Sequence, residues 1–285
     1  MKKGILVSAV VLLAAASMVQ AQESELHGTA GVEFGSKYIW RGFAVYGADT
    51  AIHPFVDLDL FGSGFHIEAI GHRANAGGNE LSERWDYALY YAGAVNPEQC
   101  SEMRYMAGYR YFNYPELSSH RAFKNPGDIG SVDLQELFAG FSFPRLLGVP
   151  GLVPTYVLLK TWPGNSGTIV GSANPGGGSF AGWAHVFMLD YALSDDICPV
   201  IPGQTLNLHA ETVFNDSVDP RPGGGYTDSD WTHVLFGVST DFALGAALTL
   251  TPGINYQVTF EDNGDKGVSP DHDILWASVK LTYKF

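Results

Sequence analysis

Apolar and polar residues alternate with a period of two along most of the chain. The last segment shows this best: every second residue from Leu275 to Phe285 is apolar, and Lys280 and Lys284 fall on the opposite face. Successive side chains of a β-strand point to opposite faces, so the pattern predicts strands with one apolar and one polar side. We find no helical period in any stretch long enough to predict a helix.

Similar segments recur along the chain, and the connections between them alternate between long and short. Marking each segment predicts about twelve strands, at residues 28–42, 51–61, 64–73, 84–94, 102–113, 132–143, 152–162, 181–192, 205–214, 231–241, 246–258 and 273–285. Outer-membrane barrels have even strand numbers, long extracellular loops and short periplasmic turns. The fold class is therefore predicted to be all-β: one antiparallel transmembrane β-barrel with both termini in the periplasm.

The aromatic residues support this topology, because tryptophan and tyrosine concentrate at membrane interfaces. Six tryptophans are expected near the long-loop ends of their strands, as an upper girdle: Trp40, Trp85, Trp162, Trp183, Trp231 and Trp276. Tyr283 and Phe285 are expected in a lower girdle. Pro54, Pro154 and Pro252 fit less well, because proline removes a hydrogen-bond donor from a strand.

The N-terminus has the features of an export signal. Lys2 and Lys3 precede an apolar stretch at residues 5–16, and small residues follow before Gln22. This predicts a cleaved signal peptide at 1–21 and a single barrel domain at 22–285. Loss of the two lysines would take the formal charge from -14 to -16, which argues against a nucleic-acid partner.

The first predicted strand contains Phe34-Gly35-Ser36-Lys37-Tyr38-Ile39-Trp40-Arg41-Gly42-Phe43. This segment resembles the Ser-Lys-Tyr-x-aromatic-Arg-Gly signature of the TorF-like family of outer-membrane porins. The segment 250–256 is similar to that family's penultimate strand, and the closing Tyr283-Lys284-Phe285 is similar to the C-terminal signal by which barrels are recognised for insertion. The resemblance implies a lumenal charge cluster of Glu33, Lys37 and Arg41 at the upper end of strand one.

Strand parity assigns a set of polar side chains to the lumen. The candidates are Glu33, Lys37, Arg41, Asp57, Asp59, His66, Glu68, Arg104, Arg110, His209, Glu211 and Lys280. The simplest interpretation is a hydrated wall of mixed charge that lines or fills the barrel. A barrel of this size lies between small filled barrels and wide channels, so a narrow pore is expected. Its acidic excess favours cations.

One pair of strands suggests a more specific site. If Gly62-Ser63 forms a two-residue hairpin, Asp59 faces His66 and Asp57 faces Glu68. Carboxylates directly opposed across a ladder repel each other. They must be hydrated, share a proton or bind a cation, and both a cation contact and a solvated face remain open.

Cys100 and Cys198 both lie in predicted periplasmic turns. An even number of cysteines in an oxidising compartment is compatible with one disulfide. Two free thiols are the alternative.

The predicted function is a porin-like channel for passive diffusion of small hydrophilic solutes, cation-favouring and without enzymatic activity, cofactor or metal. It is expected in the outer membrane of a Gram-negative bacterium. Its partners would be outer-membrane lipid, the barrel-assembly machinery through the C-terminal strand, and small solutes. The alternatives are a closed structural or adhesive barrel, an outer-membrane lipid or ester hydrolase, and a soluble β-sandwich.

Overall fold

The computed structural model describes residues 26–79, 82–115, 133–164, 181–193, 204–216, 229–260 and 273–285. Their strands are β1 His27–Gly35, β2 Ile39–Trp40, β3 Phe43–Ala44, β4 Ala51–Asp59, β5 Phe65–Ala74, β6 Arg84–Val95, β7 Met103–Asn113, β8 Leu134–Ser142, β9 Leu152–Pro163, β10 Gly182–Leu193, β11 Thr205–Asp216, β12 Asp230–Ala243, β13 Leu248–Thr259 and β14 Ile274–Lys284. Among these residues, no helix is long and apolar enough to cross a membrane.

Twelve of the strands form one closed barrel. Each neighbouring pair is antiparallel, and β1 closes the ring by pairing with both β14 and β4. The two short strands β2 and β3 pair only with each other. The predicted fold class is confirmed.

The two faces of the barrel wall differ in polarity as the period-two pattern predicts. On β6, Tyr87 and Leu89 are 47% and 45% exposed, whereas Asp86 and Ala88 are each 5% exposed. Large apolar side chains are exposed in the same way on neighbouring strands, for example Leu275 on β14. Exposed apolar side chains on alternate positions all around a closed wall make a surface suited to lipid.

Connection length sorts the two rims. The start of β1 and the end of β14 share one end, here called the lower rim, with the connections 60–64, 96–102, 143–151, 194–204 and 244–247. The upper rim has the connections 36–50, 75–83, 114–133, 164–181, 217–229 and 260–273, each longer than the lower connections next to it along the chain. The predicted alternation of long and short connections is confirmed.

The first strand is shorter than predicted, and this difference matters most for function. Strand β1 ends at Gly35 rather than Gly42. At the next residue the hydroxyl of Ser36 accepts a hydrogen bond from the backbone N–H of Ala277, at 2.9 Å, where a strand would offer its carbonyl oxygen. The Ser36 N–H still donates to the Ala277 carbonyl oxygen at 2.8 Å. The register with β14 ends here, and residues 37–42 of the motif leave the wall.

The prolines lie within strands, as the sequence pattern suggested, and the sheet adjusts around them. Pro54 is exposed on the outer face, and the pairing of β4 with β5 is interrupted between Ile52–Arg73 and Phe55–Ile70. Gly71 lies opposite, and a Cβ there would approach the Pro54 Cγ to 3.2 Å. A glycine thus makes room for the proline ring.

Candidate functional site in the barrel lumen

Residues 36–50, which join β1 to β4, form a loop that we call the inward loop. Its core is the β2–β3 hairpin, in which Trp40 pairs with Phe43. The two turn residues, Arg41 and Gly42, have φ angles of 51° and 88°. Two successive positive φ values are typical of a two-residue type I′ turn, which matches the twist of paired strands.

The tip of the inward loop is bound to strands on other sides of the lumen. The Arg41 guanidinium forms an ion pair with Glu136 on β8 and donates to the Thr161 Oγ1 on β9 at 3.1 Å. The Gly42 carbonyl oxygen accepts a hydrogen bond from Gln257 Nε2 on β13 at 3.0 Å. These strands do not neighbour β1, so the loop crosses the barrel interior.

Space at this tip is tight. A Cβ on Gly42 would lie 2.7 Å from His233 Nδ1, and the positive φ already disfavours a side chain. Glycine at this position therefore satisfies both the turn and the close approach to β12.

A second arginine, Arg84 on β6, is enclosed by aromatic rings. Its Cζ lies 4.0 Å from the Trp40 ring centroid and 4.8 Å from that of Phe112, with Tyr38 and Tyr114 just beyond. Its Nη2 donates to the Tyr38 hydroxyl at 2.7 Å. Cation–π contacts of a desolvated guanidinium are worth about 2 kcal/mol, so Arg84 is a major anchor of the loop's first half.

The charge of Arg84 is neutralised by Asp86, whose Oδ1 lies 2.6 Å from the Arg84 Nε. Asp86 also contacts His72 Nε2 at 3.1 Å, and His72 contacts His53 through their Nδ1 atoms at 2.9 Å. Tyr38 stacks on His72 with ring centroids 4.7 Å apart. Loop and wall thus share one polar network.

A chain of ion pairs continues this network along the wall. Arg110 on β7 lies 3.6 Å from Glu136 and donates to Glu68 on β5 at 3.1 Å. Glu136, which binds both Arg41 and Arg110, is fully buried. We call the six groups Arg41, Arg84, Arg110, Glu68, Asp86 and Glu136 the paired wall.

A cavity of about 350 Å³ remains on the other side of the inward loop. It lies against β14, β1, β4 and β5, and its charged lining residues are Glu33, Lys37 and Lys280. Tyr38, Phe55 and Trp276 supply aromatic surface. We call Glu33, Lys37 and Lys280 the cavity wall.

Further down, the register places Asp57 opposite Glu68 and Asp59 opposite His66, as the hairpin prediction required. Asp57 and Glu68 have protein partners, however. Asp57 contacts His66 Nδ1 at 2.8 Å and accepts from the Tyr90 hydroxyl at 2.5 Å, and Glu68 binds Arg110. Pairing within the protein thus offsets part of the repulsion between Asp57 and Glu68, and the cation contact stays a prediction.

His209 and Glu211 on β11 also point inward. His209 Nδ1 lies 2.7 Å from Asp190 on β10, and Glu211 lies 3.6 Å from His233 Nε2. Asp190, rather than His185, is the inward residue of β10, since it pairs with His209 in register. In the part of the chain that the structure describes, no three His, Cys, Asp or Glu side chains are grouped to hold a metal ion.

Part of the inner face is apolar. Phe138, Leu159, Val186 and Val213 on β8 to β11 form a buried cluster, with Tyr90 and Met188 packed against it. Leu134, Glu136 and Phe138 on β8 all face inward, so this strand keeps one parity along its length. The cluster fills one side of the lumen below the paired wall.

Arg104 lies at the lower rim rather than in the lumen. Its Nε donates to Glu102 at 2.9 Å, and Arg145 donates to the same carboxylate at 3.0 Å. The hydrogen bond from Arg145 and that from Arg104 hold the pKa of Glu102 below its usual range. Cys100 is exposed in the same turn. Cys198 and the signal segment 1–21 lie outside the described residues, so both predictions stay untested.

Four of the six tryptophans lie on the outer face. Trp85, Trp183 and Trp231 are exposed there, and Trp162 packs beside the outward Tyr109 at 6.4 Å. Trp40 and Trp276 face the interior, so the girdle prediction is wrong for these two. Trp40 left the wall with the inward loop, and Trp276 shares the inward parity of Lys280. Tyr283 and Phe285 are exposed at the lower rim with stacked rings.

Sequence reasoning missed Arg84 and Glu136 as partners of the motif. Both lie within strands among apolar residues, and nothing next to them in the sequence indicates a contact with the motif. Arg84 and Asp86 do share an inward parity, which could have indicated a paired charge. Contact of Arg41 with Glu136 spans 95 residues, and no local pattern predicts it.

No family model matches the sequence. No curated protein matches it either. Among solved structures, an outer-membrane channel from Pseudomonas putida F1 is similar with a TM-score of 0.50 at 13% identity, covering 94% of this chain and 100% of that one. A KdgM porin has a TM-score of 0.49 at 7% identity, covering 90% and 99%. A NanC porin has 0.48 at 10% identity, covering 92% and 99%. At such identities the likeness concerns the fold, and the chain has the fold of an outer-membrane β-barrel channel.

Proposed function

We propose that this protein is a porin-like channel for passive diffusion of small hydrophilic solutes across a bacterial outer membrane. One observation carries the proposal: a closed barrel with an exposed apolar outer face keeps, beside its inward loop, a cavity lined by both charged and aromatic side chains. An apolar exterior requires lipid, and a polar interior supports water. No cofactor, metal or catalysis is needed for this role.

The inward loop defines how narrow the channel is. It occupies the half of the lumen next to the paired wall and leaves space along β14, β1, β4 and β5. Solutes would therefore pass between the loop and the cavity wall. Selection would depend on the size of this space and on the charges of Glu33, Lys37 and Lys280.

We propose a preference for cations over anions. Among the inward-facing strand residues that the structure describes, carboxylates outnumber lysines and arginines, for example Asp57, Asp59, Asp190 and Glu211 against Lys280. Several of these carboxylates are paired, so the preference should be modest.

Planar-bilayer recording tests both statements. Purified protein, shown to be folded by its heat-modifiable electrophoretic mobility, should give discrete conductance steps, and a salt gradient should give a reversal potential of the sign for cations. Absence of conductance from folded protein would exclude the channel. A reversal potential of the opposite sign would exclude the cation preference only.

A closed barrel is the second candidate, because the inward loop and the apolar cluster fill much of the lumen. It predicts no conductance in wild-type protein. A hydrolase has less support: the outward His185 binds the Tyr156 hydroxyl at 2.8 Å, and among the described residues no serine or threonine hydroxyl is bonded to it. Release from cells only with detergent would further exclude a soluble protein.

A further inference from the structure

The cavity beside the inward loop contains charges of both signs that are left without partners. Glu33 on β1 and Lys280 on β14 are directly opposite each other in the register of the sheet. Lys37 approaches from the start of the inward loop. Within the described part of the chain, none of the three makes an ion pair or a side-chain hydrogen bond.

This is unusual for such neighbours. Opposite charges directly across a ladder have Cβ atoms about 5 Å apart and normally attract each other. Elsewhere in the lumen the same barrel pairs its charges closely, as Arg84 with Asp86 at 2.6 Å and Arg110 with Glu68 at 3.1 Å. The carboxylate and the two ammonium groups of the cavity wall are held apart, with solvent-accessible space around them.

The remaining lining of the cavity is largely aromatic. Tyr38, Phe55 and Trp276 border it, and the Tyr38 ring is fixed by its hydroxyl contact with Arg84 and its stacking on His72. Rings that are already ordered offer apolar surface at little entropic cost. The volume of about 350 Å³ lies within the range of small-molecule sites.

The geometry points to a binding site for a small zwitterionic amino-carboxylate with an apolar side chain. Its ammonium group would bind Glu33, its carboxylate would bind Lys37 and Lys280, and its apolar group would lie against the aromatic rings. A solute of zero net charge is not repelled by the acidic groups lower in the lumen. The inference names a solute class for the channel and therefore rests on the proposed function.

Affinity should be weak, because a channel site must release its solute quickly. Dissociation constants of about 1–10 mM correspond to roughly 3–4 kcal/mol. Specificity should come from the three charges. A solute that lacks the ammonium or the carboxylate group would leave at least one of these charges without a partner and would therefore bind more weakly.

Calorimetry on folded protein in detergent tests the inference without any need for conductance. Three probes separate the charges: L-phenylalanine carries both, 3-phenylpropanoate lacks the ammonium group, and 2-phenylethylamine lacks the carboxylate. L-Phenylalanine should bind saturably and at least about fivefold more tightly than either analogue. Absence of saturable binding, or tighter binding of 3-phenylpropanoate, would overturn the assignment.

Variants locate the site. Glu33→Gln should weaken L-phenylalanine about fivefold or more and leave 3-phenylpropanoate unchanged, whereas Lys280→Gln should weaken both and spare 2-phenylethylamine. Lys37→Gln repeats the second test from the loop side. The matched control is Lys160→Gln, since this lysine lies on the outer face over Trp183, and binding should not change. Equal effects of Lys280→Gln and Lys160→Gln would overturn the assignment.

Failure of the channel and failure of the site have different signatures. If folded protein binds L-phenylalanine but passes no current, the proposed channel function is wrong and the binding site stands. Protein that passes current but binds the three probes equally would keep the channel and remove the site.

Discussion

The charged side chains on two sides of the lumen differ in whether they have partners. Along the paired wall, arginines and carboxylates are buried together, and the tip of the inward loop is part of their network. Along the cavity wall, Glu33, Lys37 and Lys280 face open space. The contrast suggests two roles: the paired charges hold the inward loop in place, and the unpaired charges are those that we propose bind a solute.

The largest effect should follow from breaking the paired wall at its most buried point. Arg84→Met removes the guanidinium between Asp86 and the aromatic rings and should lower the free energy of unfolding by about 3–5 kcal/mol, because Asp86 stays buried without its main partner. Urea titration in lipid vesicles, followed by tryptophan fluorescence, measures this.

A matched control exists on the next strand. Arg73 pairs with Glu83 at 3.2 Å but is 72% exposed, so Arg73→Met should change stability by less than about 0.5 kcal/mol. If both substitutions had equal effects, burial would not distinguish the two pairs.

The next largest difference should be in how fast a thiol reagent from solution reaches the two sides of the lumen. With Cys100 and Cys198 replaced by serine, Lys280→Cys on the cavity wall should react with a charged thiol reagent at least about tenfold faster than Thr161→Cys, because reaction requires access to the thiolate. Thr161 is 1% exposed beneath Arg41. Similar rates would mean that the loop does not shield that side of the lumen.

Loosening the tip of the loop should raise conductance. Glu136→Gln removes the partner of Arg41, and a loss of about 3 kcal/mol shifts a two-state docking equilibrium by roughly a hundredfold. The mean conductance in planar bilayers should then rise at least about twofold if the docked loop is the main obstruction. The double variant Arg41→Gln with Glu136→Gln should recover part of the difference, since it leaves neither charge alone.

The cavity wall supplies the control for this experiment. Glu33→Gln should change ion preference and leave the size of the conductance steps nearly unchanged, because Glu33 does not contact the loop tip. Unchanged conductance in Glu136→Gln would show that the ion pair does not hold the loop closed.

The smallest effect concerns Glu102 at the lower rim, away from both walls. Its pKa is lowered in the folded protein by Arg145 and Arg104, so its contribution to stability is complete above the unfolded pKa of about 4.3 and fades as the pH falls through the folded value. The difference in melting temperature between wild type and Glu102→Gln should therefore be largest near neutral pH. A difference that persisted at pH 2 would contradict this linkage.

The barrel itself could be predicted from the sequence, because strand, face and rim all follow from period-two alternation and connection length. Most strand bounds differ from the predicted ones by only a few residues. The inward loop could not be predicted, because residues 36–42 continue the sequence pattern of a strand. Only the structure shows that the Ser36 hydroxyl accepts the hydrogen bond that the backbone carbonyl oxygen of a strand would accept.

The candidate site shows the same division. Parity correctly placed Glu33 and Lys280 on one face, since this is a local property. It could not show that Asp57 and Glu68 have partners from β5, β6 and β7, or that Trp40 packs against Phe112, since these contacts join distant segments.

The hydrogen bonds of Ser36 lie at the seam where the ring is joined, between the first and last strands of the barrel. At the tip of the loop that starts there, Gly42 bonds to Gln257, which lies 215 residues further along the chain. Contacts of such separation form late, because a long segment must first be ordered. Closure of the ring and docking of the loop should consequently be one event in assembly. A barrel in which β1 and β14 have not yet paired would therefore also lack the docked loop that divides its interior.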